Sequence, residues 1–116
     1  MKKHLYALTL SLFVVAAITA LAADVSGTWD VKGDVVGNPV NFTCVLKQEN
    51  DKLSGTATVQ GTDSPVTGSV TDEAVTFEFD TGGYHLVFKG TLDDTGGMKG
   101  SIAVAGADGT FTATKK

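Results

Sequence analysis

From Trp29 to the C-terminus, apolar and polar residues alternate, and turn-forming residues interrupt the alternation every few positions. The apolar series reads Trp29, Val31, Gly33, Val35, then Val40, Phe42, Cys44, Leu46, then Leu53, Gly55, Ala57, Val59. It continues through Val66, Gly68, Val70, then Val75, Phe77, Phe79, then Tyr84, Leu86, Phe88, Gly90, Leu92. Met98, Gly100, Ile102, Val104 and finally Phe111, Ala113 complete it. The residues between them are mostly Thr, Ser, Lys, Asp and Glu. A period of two with one apolar and one polar face marks a half-buried antiparallel sheet. The pattern predicts about eight strands. Short connections such as Val36-Gly37-Asn38-Pro39, Asp80-Thr81-Gly82-Gly83 and Gly106-Ala107-Asp108-Gly109 join sequential neighbours as hairpins. A meander of that length has exposed edges unless it closes, and closure into a barrel removes them. The expected fold is therefore all-β, an up-and-down antiparallel barrel of about eight strands, with a β-sandwich as the alternative.

A bulky apolar residue, one polar residue and a glycine recur at Leu53-Ser54-Gly55, Val66-Thr67-Gly68, Phe88-Lys89-Gly90 and Met98-Lys99-Gly100. These glycines fall on the apolar face. There they permit sharp coiling or make room for a large neighbour on the inner wall of a small barrel. Their alternative role is to leave a ligand cavity.

The first residues follow a different rule. Met1-Lys2-Lys3-His4 is a short basic start, and Leu5 to Ala23 is apolar apart from Tyr6, Thr9, Ser11 and Thr19. The stretch ends Ala20-Leu21-Ala22, the small-x-small pattern of a signal-peptidase site. Residues 1–22 are read as a cleaved signal peptide and 23–116 as a single β-barrel domain, periplasmic or secreted. A retained membrane anchor is the other reading of such a segment. After cleavage no stable membrane insertion is expected. The remaining strands of about 6–9 residues, with Thr and Gly at their ends, lack the length and aromatic girdles of an outer-membrane barrel.

Cleavage would leave seven lysines against thirteen carboxylates, and arginine is absent throughout. An acidic chain of this kind is poorly suited to nucleic acid, whose phosphates demand basic neutralisation. Cys44 is the sole cysteine, so the fold cannot rest on an internal disulfide. It must rest on its core.

Gly27-Thr28-Trp29 opens the first strand, Leu53-Ser54-Gly55-Thr56 sits in the third, and Gly109-Thr110-Phe111-Thr112 falls in the last. This arrangement resembles the avidin/streptavidin-like and lipocalin-like (calycin-type) eight-stranded barrels. It is also similar to short secreted bacterial domains with a Gly-x-Trp first strand and a Gly-x-Phe-Thr end. The resemblance implies that Trp29 closes one end of the core, with Lys115 as the basic side chain over it. It does not carry a biotin site. Where avidin-like proteins place inward polar residues, this chain has Val31, Val35, Ala57 and Val59, and Trp29 is its only tryptophan. An apolar interior is implied instead, in which biotin's polar ring atoms would be buried unpaired.

Candidate chemistry is sparse. His85 lies between the apolar-face residues Tyr84 and Leu86, so alternation turns it outward. Cys44 lies on the apolar face between Phe42 and Leu46, where a thiol acts as a small hydrophobe. One Cys and one His on opposite faces make neither a thiol–imidazole pair nor a transition-metal site. The carboxylates concentrate at turns (Asp72-Glu73, Asp93-Asp94, Glu49 with Asp51, Asp80) without the spacing of a calcium loop. The sequence thus indicates no enzyme, no catalytic or metal-ligating residue, and no cofactor. The expected function is that of a small exported binding module for an apolar small ligand or a protein or glycan partner. Trp29, Phe42, Phe77, Phe79 and Phe88 are the candidate ligand-binding residues of the barrel interior. A structural or stress-related envelope protein with a filled core is the alternative.

Overall fold

The computed structural model describes residues 24–116; the expected signal peptide and Ala23 lie outside the described residues. Eight strands follow in order: β1 (Gly27–Val35), β2 (Asn38–Glu49), β3 (Lys52–Val59), β4 (Thr62–Thr71), β5 (Ala74–Thr81), β6 (Tyr84–Leu92), β7 (Met98–Val104) and β8 (Ala107–Lys115). Each pairs antiparallel with the next. β1 also pairs with β8, from Trp29↔Lys115 to Val35↔Gly109, so the sheet closes on itself. The result is one closed barrel, not a sandwich, and no strand is left with an open edge.

The period-two pattern sets the faces. Trp29, Val31 and Val35 are buried, as are Phe42, Cys44 and Leu46 on β2 and Val75, Phe77 and Phe79 on β5. Their neighbours face solvent. Val45, between Cys44 and Leu46, is 52% exposed. Tyr84 is the departure. It has inward parity but is 59% exposed, because it is the first residue of β6 and sits at the lip of the barrel.

An eight-stranded barrel has an interior just wide enough to be filled by side chains. Here five phenylalanines from β2, β5, β6 and β8 do most of the filling. Phe77 and Phe88 are directly opposed in register and stack, with ring centroids 4.8 Å apart and planes 3° from parallel. Phe79 stacks on the same Phe88 ring at 5.7 Å, while Phe42 and Phe111 meet it edge-on at 5.3 and 5.2 Å. These are the favoured aromatic geometries. Small inward residues on β3 and β4, among them Gly55, Ala57 and Gly68, complement this bulk.

The strand glycines are explained by close approach. A Cβ on Gly100 would run into the Lys89 carbonyl oxygen, and one on Gly55 into that of Val45. Such contacts reflect the tight coiling that a narrow barrel imposes. Phe111 lies between Gly33 of β1 and Gly100 of β7 in register, and its ring tip occupies the space beside Gly90.

Four hairpin turns share one end of the barrel: Val36-Gly37, Gln60-Gly61, Gly82-Gly83 and Ala105-Gly106. Both residues of each have positive φ, the backbone signature of the type I′ hairpin turn. Val36 is the costly one, a β-branched residue at φ 51° that is 75% exposed. Left-handed backbone costs an L-residue on the order of 1–2 kcal/mol, and Asn tolerates it best. Val36→Asn should therefore stabilise the fold by about 1 kcal/mol. An upward shift in the urea midpoint at unchanged m-value would show this; no shift would mean that contacts at the lip hold Val36 in place.

Candidate functional site

The two ends of the barrel differ. At the end opposite the four turns, residues 24–26 fold under the opening. Val25 is fully buried there, against Trp29, which is 1% exposed. The Trp29 indole Nε1–H donates to the Val25 carbonyl at 2.9 Å, and the Val25 N–H donates to Gln48 Oε1 at 2.9 Å. The Gln48 N–H in turn donates to Ser26 Oγ at 2.9 Å. Lys115 Nζ lies 5.8 Å from the Trp29 ring centroid, within cation–π range, and 3.4 Å from the Asp24 carbonyl oxygen. This end is plugged, with each buried polar group of the plug partnered.

The other end is open. A funnel of about 640 Å³ enters between the four turns. Its apolar wall comes from Val35, Val40, Val59, Tyr84, Leu86 and Val104, inward residues close to those turns on five strands. Leu86 is directly opposite Phe79 in register, so the aromatic block begins where the funnel ends. A pocket of this size, apolar with a few polar groups, is of the kind that takes small molecules.

The five candidate interior residues divide between these features. Phe42, Phe77, Phe79 and Phe88 pack on one another in the block below the funnel, and Trp29 belongs to the plug at the other end. Large aromatic side chains fill the barrel, and the space they leave lies above them. The funnel residues were all legible as apolar-face positions. What sets them apart is lying within the last two inward positions of their strands at the unplugged end.

Elsewhere the polar groups engage one another. His85 Nδ1 is 2.5 Å from Asp80 Oδ1, and its Nε2 is 3.7 Å from Glu78 Oε2, all on the exposed outer face. The hydrogen bond to Asp80, aided by the charges of Asp80 and Glu78, holds the imidazole pKa above its ordinary value. No hydroxyl or thiol among the described residues is hydrogen-bonded to this pair. Asp93 accepts from the Thr95 hydroxyl and from the Thr95 and Gly97 N–H groups, which hold its carboxyl below the usual range and shape the β6–β7 loop. Burial pushes the Cys44 thiol up to about 12, far from the range of a nucleophile. Among the described residues no three of His, Cys, Asp and Glu are placed to hold a metal ion.

No protein-family model matches this sequence, and none of the curated proteins compared with it matches. The barrel itself has a structural counterpart. It is similar to the solved structure of a redesigned β-barrel, mFAP1, bound to DFHBI, with a TM-score of 0.57 and 13% identity. The likeness covers 78% of this chain and 94% of that one. At that identity it establishes the fold alone. This chain is an eight-stranded antiparallel closed β-barrel.

The plug makes a sharp energetic contrast testable. Trp29→Ala removes a buried ring and leaves the Val25 carbonyl without its donor, and should cost roughly 3–5 kcal/mol. Asp30→Asn, next along the chain but turned outward, should cost about 0.5 kcal/mol or less. Urea unfolding of both variants, followed by far-ultraviolet circular dichroism, measures the difference; comparable costs would contradict the inward placement of Trp29.

Proposed function

We propose that this protein is an exported, non-catalytic binding barrel that takes an apolar small molecule in its open funnel. The observation that carries the reading is the asymmetry of the two ends. One is plugged by Val25 and Trp29 with its polar groups partnered, and the other leaves an apolar space of about 640 Å³. A redesigned barrel of similar fold is bound to DFHBI, which supports the idea that such barrels accommodate a ligand.

Export rests on the leader-like first residues. Cleavage after Ala22 would leave Ala23 as the new N-terminus, two residues before Val25 enters the plug. Mass spectrometry of the protein recovered from outside the cytoplasm should find a chain beginning at or within a residue of Ala23. A full-length product held in the membrane would contradict this.

Ligand binding is tested with N-phenyl-1-naphthylamine, an uncharged apolar fluorophore. The expected result is saturable enhancement of its emission and a raised unfolding temperature, as for any ligand that binds only the folded state. Tyr84→Asp, at the exposed lip, should weaken binding roughly tenfold, equivalent to about 1.4 kcal/mol. Val45→Asp, exposed on the outer wall, should leave binding unchanged. The aromatic block gives the second reading its support: a structural envelope protein whose barrel is filled. No binding of the probe, with both variants folded, is the outcome that favours it.

A further inference from the structure

The charges around the barrel are not distributed evenly between its ends. None of the fifteen residues around the funnel is charged. Just outside them, each of the four turns at that end carries one aspartate two residues away: Asp34, Asp63, Asp80 and Asp108. All four are exposed, on the outer face of β1, β4, β5 and β8. Lys47, Lys52, Lys89, Lys99, Lys115 and Lys116 lie toward the plugged end, where they nearly balance Asp24, Glu49, Asp51, Asp72, Glu73, Asp93 and Asp94. Lys32, the lysine fewest residues from any of the four turns, is two residues further from its turn than Asp34. The other titratable groups near this rim are Glu78, a fifth carboxylate, Lys32, as far from its turn as Glu78 is, Tyr84 at the lip, and His85, which is paired with Asp80.

A ligand entering the funnel thus meets an uncharged wall inside a ring of four aspartates, with Glu78 and Lys32 behind them. An anionic headgroup would find no counter-ion at the wall and would be repelled at the lip. A cationic headgroup is favoured by the same field, which an apolar cavity wall focuses toward its opening. The exposed Tyr84 ring at the lip offers a further partner for a cation.

Building on the funnel as a binding site, we infer that it selects a cationic amphiphile, an apolar body with an ammonium head held at the lip, over an anionic one of the same length. The selection is electrostatic and long-range, so it acts on the head and leaves the body to be chosen by fit.

The test compares three ten-carbon probes below their micelle concentrations: decyltrimethylammonium, decanol and decanoate. Each competes with N-phenyl-1-naphthylamine at alkaline pH, above the ordinary histidine range. At about 0.01 M ionic strength, where the Debye length is about 30 Å, decyltrimethylammonium should bind about tenfold tighter than decanoate, with decanol between them. At about 1 M, where it is about 3 Å, the gap should close. In the double variant Asp80→Asn, Asp108→Asn, the low-salt gap should narrow to roughly threefold. Thermal unfolding of the variant confirms that its fold is intact. Equal or tighter binding of decanoate at low salt, or a gap indifferent to salt and to the two substitutions, overturns the inference and leaves the binding site standing. Failure of all three probes and of the fluorophore removes the binding site and the inference together.

Discussion

Pairing of β1 with β8 closes the sheet, and closure fixes the bore that every other part of the structure must fill. With eight strands the lumen has about the cross-section of packed side chains, so inward volume has to balance across it. Phe88 is the centre of that balance. Its ring contacts Phe42, Phe77, Phe79 and Phe111, which arrive from three other strands. Between β2 and β5, the strands β3 and β4 answer mostly with Gly, Ala, Ser and Val, Leu53 being their one large inward residue. The glycines are part of the same accounting of space. Those at positions 55 and 100 allow backbones to approach where a Cβ would collide, and Gly33, Gly90 and Gly100 leave room around Phe111.

Filling the middle leaves the ends to be resolved separately. The plugged end uses the N-terminal strap, a tryptophan and a lysine from the last strand, joined by hydrogen bonds that satisfy the strap's backbone. The open end is formed by four two-residue turns whose positive φ values leave little chain to fold inward. A longer loop there could have covered the funnel as residues 24–26 cover the other opening. The tight turns keep it open, and the strained Val36 at its lip adds exposed apolar surface where Asn would satisfy the backbone better. Outliers of this kind gather where a surface serves something besides stability.

The exterior contributes solvation and charge. Asp93 organises its own loop, Asp34 accepts from the Gly37 N–H at one of the turns, and Asp80 holds His85. These groups are partnered locally and exposed, which suits structural turns. Asp34 and Asp80, unlike Asp93, stand at the open end, beside Asp63 and Asp108.

Strand number, strand order and the burial of almost every inward residue could be read from the chain, because period-two alternation and Gly-rich turns are local properties. The outward placement of His85 and the inward placement of Cys44 followed from the same parity. The position of open space could not be read that way. Phe77 and Phe88 are large inward rings, and whether such a ring lines a cavity or fills it depends on what stands across the lumen. That is set by register between strands distant in the chain. Val25 carried no strand signal, and its burial comes from folding back beneath Trp29. Tyr84 kept its inward parity but lost its cover, since only the closed barrel determines where the packed interior stops. The sequence by itself determined which face of each strand is apolar. The resemblance already implied closure at Trp29, but the tertiary structure alone decided that Val25 completes the plug and where space remains, because space is a property of opposed walls and not of any one strand.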